Sequence, residues 1–192
     1  MTDFLSRAQA LGAATSTTLT IKNQEDHDRI MQSMLSPALA DADKVQDYSP
    51  RINAQEFPTQ LAVYSLSDLI IQLDHPFIIN DTRPVVLNYG TVTIENGAYI
   101  EVSSGACNFL LDILLKPSST TSSKGYDIAN IGSGPLMIHV SQAIQVNDLV
   151  IATTSGSGDV TILIPKSNPV PNIITHQLGT NPGKITVVTR ND

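Results

Sequence analysis

Between Pro84 and Ser104 the chain reads PVVLNYGTVTIENGAYIEVSS, and its apolar positions recur at every second residue. Val92 and Ile94 alternate with Thr91, Thr93 and Glu95; beyond Gly97, Ala98, Ile100 and Val102 alternate with Tyr99 and Glu101. One face is dry and the other wet, the pattern of half-buried strands. A two-residue hairpin at Asn96-Gly97 would pair Val92 with Glu101 and Thr93 with Ile100, mixing wet and dry residues on each face. Two arrangements keep the apolar set together. A three-residue loop of Glu95, Asn96 and Gly97 reverses the chain and sets Thr93 opposite Tyr99, or a solenoid corner turns the chain without reversing it.

Similar short runs fill the chain from about Pro58 onward. Leu61 to Leu66, Leu69 to Leu73, Phe77 to Ile79, Val85 to Tyr89, Thr91 to Ile94 and Ala98 to Val102 are separated by Asp, Asn, Gly or Pro and read as strands. Asn108 to Lys116 is a continuous apolar run around Asp112, open to either a buried strand or a helical turn. Pro117 to Gly125 is a polar loop. Strands resume at Ile128 to Ile131, Leu136 to Val140, Ile144 to Val146, Leu149 to Thr153 and Val160 to Ile164, with Gly134, Gly156 and Gly158 at turns. Asn168 to Pro182 reads as a surface crossing, and Ile185 to Thr189 as a last strand.

The N-terminal part follows a different period. Asp3 can cap a short helix ending near Gly12, and the Ser/Thr-rich stretch from Ala13 to Ile21 reads as extended. Acidic Glu25, Asp26 and Asp28 open a second helix in which His27, Ile30, Met31, Met34 and Leu35 follow helical spacing before Pro37. His27 has no second ligand at helical spacing and reads as a packing or capping residue. Ser36 to Phe57 is a linking segment. The chain thus divides into an N-terminal segment of two short helices and a linker (1–57) and a β-rich domain (58–192).

One echo runs through the β-rich part. Val92 to Ile100 aligns with Ile144 to Ile151, each with apolar alternation, an Asn or Asp turn and more apolar residues. Strand-turn units of this kind suggest solenoid coils, each burying its apolar side on the next. GTVTIENGAYIEV is similar to strands in parallel β-helix proteins and adhesins. The expected fold is mainly β, a β-solenoid-like or two-sheet β-sandwich domain preceded by a short helical N-terminal segment.

Composition narrows the function classes. The 192 residues carry a net charge of −7, no tryptophan and no basic cluster, which argues against nucleic-acid binding. No apolar run approaches the roughly 20 residues of a membrane-spanning helix. The N-terminus lacks the pattern of a typical signal peptide, so the compartment stays open between cytoplasm and leaderless export. Cys107 is the single cysteine, which excludes an intrachain disulfide and reads as a buried thiol.

The search for chemistry returns little. None of His27, His75, His139 and His176 sits in a nucleophile motif, and Gly132-Ser-Gly134 and Gly156-Ser-Gly158 lack the lysine of a phosphate loop and read as turns. Asp74-His75 would rarely chelate together on a strand, so no metal site and no cofactor is expected. Glu95, Glu101 and Asp112 are the carboxylates available to a carbohydrate-active enzyme. Asn80-Asp81-Thr82 matches a glycosylation acceptor by pattern alone. A polar face of Asn88, Thr91, Thr93, Tyr99 and Glu101 suits sugar binding, with Tyr99 stacking on a pyranose ring. The expected function is a noncatalytic module binding carbohydrate or a protein partner at a surface. In that module the amphipathic N-terminal helices cap an open edge or make partner or oligomer contacts, and a homo-oligomer is expected. The alternatives are an oligomerising assembly or toxin component and a carbohydrate-active enzyme.

Overall fold

The computed structural model describes residues 18–34, 50–166 and 171–190, with residues 65–67 described by their backbone. The helix expected from Asp3 lies outside the described residues. Twelve strands and one helix follow in chain order: β1 (Thr18–Ile21), α1 (Gln24–Met34), β2 (Thr59–Ile71), β3 (Phe77–Asp81), β4 (Val85–Ile94), β5 (Ile100–Ser104), β6 (Cys107–Lys116), β7 (Ile128–Asn130), β8 (Leu136–Val146), β9 (Asp148–Thr153), β10 (Val160–Ile164), β11 (Asn172–Gln177) and β12 (Ile185–Thr189). From β2 onward the chain alternates between two sheets. One has the order β1-β2-β4-β6-β8-β10-β12 and the other β11-β9-β7-β5-β3. Every pairing is parallel except that of β1 with β2. This is a β-solenoid whose coils each contribute one strand to each sheet.

The corner after β4 therefore turns without reversing. Val92 stands beside Leu69 and Leu114 in neighbouring coils, and Ile100 beside Phe77 and Ile128, so Thr93 and Tyr99 do not face each other. Asn96-Gly97 still makes a tight turn, with Ala98 N–H donating to Glu95 O and Gly97 at φ +74°. The echo also has a place. Val92, Leu114 and Ile144 form one column, and Ile100, Ile128 and Ile151 another.

Inward residues of both sheets form one core, including Leu87, Phe109, Ile138 and Ile162 from the longer sheet and Ile100, Ile128 and Ile151 from the shorter. In the long strands the inward parity changes midway. Val85, Leu87 and Tyr89 face in, then Val92 and Ile94; Cys107, Phe109 and Leu111 face in, then Leu114. Two neighbouring residues at the change, Gly90 with Thr91 and Asp112 with Ile113, are both partly exposed. This break in alternation is why β2, β4 and β8 each read as two strands in the sequence. The run through Asp112 resolves as a single strand. β11 corrects the reading of 168–182 as a plain crossing: its burial is slight, because it is the edge of its sheet, so its sequence carries little alternation.

Returning from the shorter sheet to the longer, the chain passes Gly105, Gly134, Gly158 and Gly183, each two residues before a strand of the longer sheet. A Cβ on Gly134 would lie 2.1 Å from Gly105 O, one on Gly158 2.3 Å from Gly134 O, and one on Gly183 2.1 Å from Gly158 O. Glycine is required where backbones of successive coils approach this closely. Inside the corner, Asn130 Nδ2 donates to Gly134 O and Gly158 O at 2.8 and 2.9 Å, and Thr153 Oγ1 donates to Gly183 O at 2.7 Å. The ladder thus satisfies its buried carbonyls.

The N-terminal elements make a second apolar layer. β1 pairs with Thr59–Ala62 at the edge of β2, while Ile30 and Met31 of α1 pack with Leu19, Ile21 and Ile52 over outward Val63, Val86, Leu110, Met137 and Leu163. So α1 covers a sheet face, and it is β1 that covers part of an edge. No helix among the described residues is long and apolar enough to cross a membrane.

Candidate functional site

The solenoid corner separates the five residues expected to share a polar face. Asn88, Thr91 and Thr93 are partly exposed on β4 in the longer sheet, whereas Glu101 belongs to β5 in the shorter sheet and Tyr99 directly precedes that strand. Tyr99 meets the Tyr126 ring edge-on at 6.1 Å, and Lys124 Nζ stands 6.0 Å from its centroid. Tyr126 donates its hydroxyl proton to Glu101 Oε1, and its ring covers outward Ala129, Val150 and Ala152. Burial, reinforced by Glu101, raises the Tyr126 hydroxyl well above its usual range. The polar loop after Pro117 therefore returns across this face and occupies the partners of Tyr99 and Glu101.

The other candidate groups do not converge either. Asp112, on the longer sheet, accepts from Ser141 Oγ at 2.6 Å, Glu101 lies on the shorter sheet, and Glu95 lies at the corner between them. Asp74 and His75 are exposed in a turn closed by His75 N–H donating to Gln72 O. His139 points outward, opposite to Ile138 and Val140, yet is only 6% exposed because the second apolar layer covers that face. Burial lowers its imidazole to about 4, with the Arg190 guanidinium a lesser cause. His27 is fully buried on the sheet-facing side of α1, near Gln24, Asp28 and Asn108. Cys107 is a buried free thiol whose pKa burial pushes up to about 12. Among the described residues no group of three His, Cys, Asp or Glu side chains could hold a metal.

What the fold does assemble is a polar cleft of about 460 Å³ beside the glycine corner. One wall is the segment before β2, with Arg51, Asn53 and Glu56; Asn53 Oδ1 accepts from Gln55 N at 3.1 Å and fixes a short 3-10 turn over Ala54–Glu56. The other wall is three successive corners: Asn80 to Thr82, Ser103 to Ala106, and Gly132 to Pro135. Small residues create the hollow. A Cβ on Gly132 would lie 2.8 Å from Ser104 N, so the floor is backbone.

Charge in the cleft is held in place. Asp81 accepts from Arg83 N, Nε and Nη2 at 2.9, 3.0 and 2.7 Å, and these bonds hold its carboxyl below the usual carboxylate range. Asn80, Thr82 and Ser133 are exposed and Ser103 partly so, and their side chains enter no hydrogen bond among the described residues. The sequence marks Asn80 and Thr82 only as a glycosylation pattern and Ser133 only as a turn residue, because a small polar residue near a turn looks the same whether or not it lines a cleft. The one available sign was the recurrence of Ser-Ser-Gly105 and Gly-Ser-Gly134 one coil apart. Comparison of the chain with protein-family models, curated proteins and solved structures gives no match.

Proposed function

We propose that the protein is a noncatalytic binding module and that its ligand is a carbohydrate taken into the corner cleft. One observation carries this reading: a cleft of about 460 Å³ lined by hydroxyl, amide and carboxylate groups, several of them without protein partners. Its size is within the range of about 300–1,000 Å³ common for small-ligand sites, but such sites are usually apolar. A lining of Asn80, Thr82, Ser103 and Ser133 matches instead a ligand covered in hydroxyl groups, which both donate and accept. Asp81 is suited to accept from a sugar hydroxyl. Kept ionised by Arg83, it is a poor proton donor to a leaving group, which favours binding over glycoside cleavage.

A glycan array followed by calorimetry tests the reading. Wild type is expected to bind a defined subset of glycans, Ser133→Trp to lose binding by filling the cleft, and Asn80→Ala to weaken it by up to about tenfold, the worth of one hydrogen bond. Tyr99→Ala is expected to bind as wild type. An array without a binder, binding indifferent to Ser133→Trp, or release of reducing sugar from a bound polysaccharide would each overturn it.

A further inference from the structure

The two ends of the solenoid differ from its flanks and from each other. Among the described residues, every exposed large apolar side chain except Ile131 belongs to the first or the last coil: Tyr64, Ile70, Leu73 and Ile78 at one end, Ile174, Leu178 and Val187 at the other. Two of them terminate a core column. The buried series Leu87, Phe109, Ile138 and Ile162 runs through the longer sheet and ends in Tyr64 and Val187, each 40% exposed. The core is thus cut open at both ends, where a repeat architecture needs a cap or a neighbour.

Strand polarity and charge point to the neighbour. The coil strands β2 to β12 of the longer sheet are all parallel and number six against five in the shorter, so the β2 of one copy can extend the β12 of another in the same sense, with one strand's spacing left between β11 and the next β3. Among the described residues, β12 is an edge of the longer sheet with no strand beyond it, and β1 pairs with β2 only at Thr59–Ala62, short of Tyr64. From Thr59 to Thr82 the charged residues are Asp68, Asp74 and Asp81, with no lysine or arginine. From Val160 to Arg190 they are Lys166, Lys184 and Arg190, with no carboxylate. Arg83 engages Asp81, and Asp159 stands just ahead of the last coil, but Asp74 and Lys184 remain exposed at opposite ends. Identical ends would repel; opposite ends attract.

We infer that copies of this chain stack head to tail, the last coil of one against the first coil of the next, continuing the longer sheet and the core column through Val187 and Tyr64. Extending the observed registers of the longer sheet puts Tyr64 of the next copy beside Val187. Such a heterologous contact uses different surfaces on its two sides and grows open chains instead of closing on a dimer. The inference is independent of carbohydrate binding.

Sedimentation of the full chain over a range of concentrations tests it. Wild type is expected to show a weight-average mass that rises without a plateau and falls at high salt. Tyr64→Lys with Asp74→Lys blocks the first coil, and Val187→Lys blocks the last; each variant alone is expected to be monomeric. Mixed in equal amounts, they are expected to form a heterodimer through their remaining native ends, which a variant that had failed to fold could not do. Wild type that stays monomeric, a blocked variant that still self-associates, or a mixture without heterodimer would overturn the inference.

Discussion

Lys116 Nζ lies 3.0 Å from Asp127 Oδ2, and neither side chain has any exposed surface. The lysine ends β6 and the aspartate directly precedes β7, so the pair joins the two ends of the polar loop from inside the solenoid. Lys116 also donates to Asp148 O at 2.8 Å and Asp127 Oδ2 accepts from Val150 N at 2.7 Å, while Asp127 Oδ1 has no partner. Removing one partner leaves an uncompensated buried charge, costing about 3–5 kcal/mol. Urea unfolding should therefore show Lys116→Met strongly destabilised. Lys116→Met combined with Asp127→Leu should recover most of the loss, and a double variant no better than the single would contradict this account.

The glycine corner makes a contrast between two substitutions. Gly134→Ala places a methyl group 2.1 Å from Gly105 O in a backbone that cannot retreat, whereas Gly125, at φ +82°, has open space around its Cβ position. Overpacking should cost Gly134→Ala about 3 kcal/mol or more. Gly125→Ala should lose about 1 kcal/mol from backbone strain alone. Thermal melts of the two variants give the order.

His139 predicts a pH dependence with a definite sign. Its Nε2 is buried without a hydrogen-bond partner, and burial lowers the imidazole from 6.5 to about 4. Between those values the unfolded chain binds the proton and the folded chain does not, so this contribution is fully present above pH 6.5 and is lost as pH falls toward 4. The loss is on the order of 3 kcal/mol. His139→Leu should lose less stability than wild type over that window, measured as the difference between the two urea midpoint profiles.

Tyr126 anchors the loop over the shorter sheet. Tyr126→Phe removes only the hydrogen bond to Glu101 and should cost about 0.5–1.5 kcal/mol. Tyr126→Ala also uncovers Ala129, Val150 and Ala152, and should speed tryptic cleavage after exposed Lys124 well beyond Tyr126→Phe. Equal cleavage rates would mean that the ring does not hold the loop.

Cys107 should be silent in the folded protein. Buried, with its pKa pushed up to about 12, it presents almost no thiolate near neutral pH. A thiol reagent should find no reactive group in native protein and one per chain after denaturation.

Period-two alternation and its Gly, Asn and Pro interruptions determined most strand positions, the mainly β class and the presence of a corner at Asn96-Gly97. They did so because alternation records which side of a strand is dry, a local property. Where local alternation breaks, as at Gly90 and Asp112, or fades, as in β11, strand boundaries and existence were not legible. The sense of the corner was not legible either, since reversing and advancing turns leave the same residues dry. Only packing decided it, by setting Val92 beside Leu69 and Leu114 and putting Thr93 on β4 and Tyr99 past the corner, just ahead of β5. The same stacking turned small polar residues at or just past strand ends, Asn80, Ser103 and Ser133, into one cleft wall, a relation between coils that no single stretch of sequence contains.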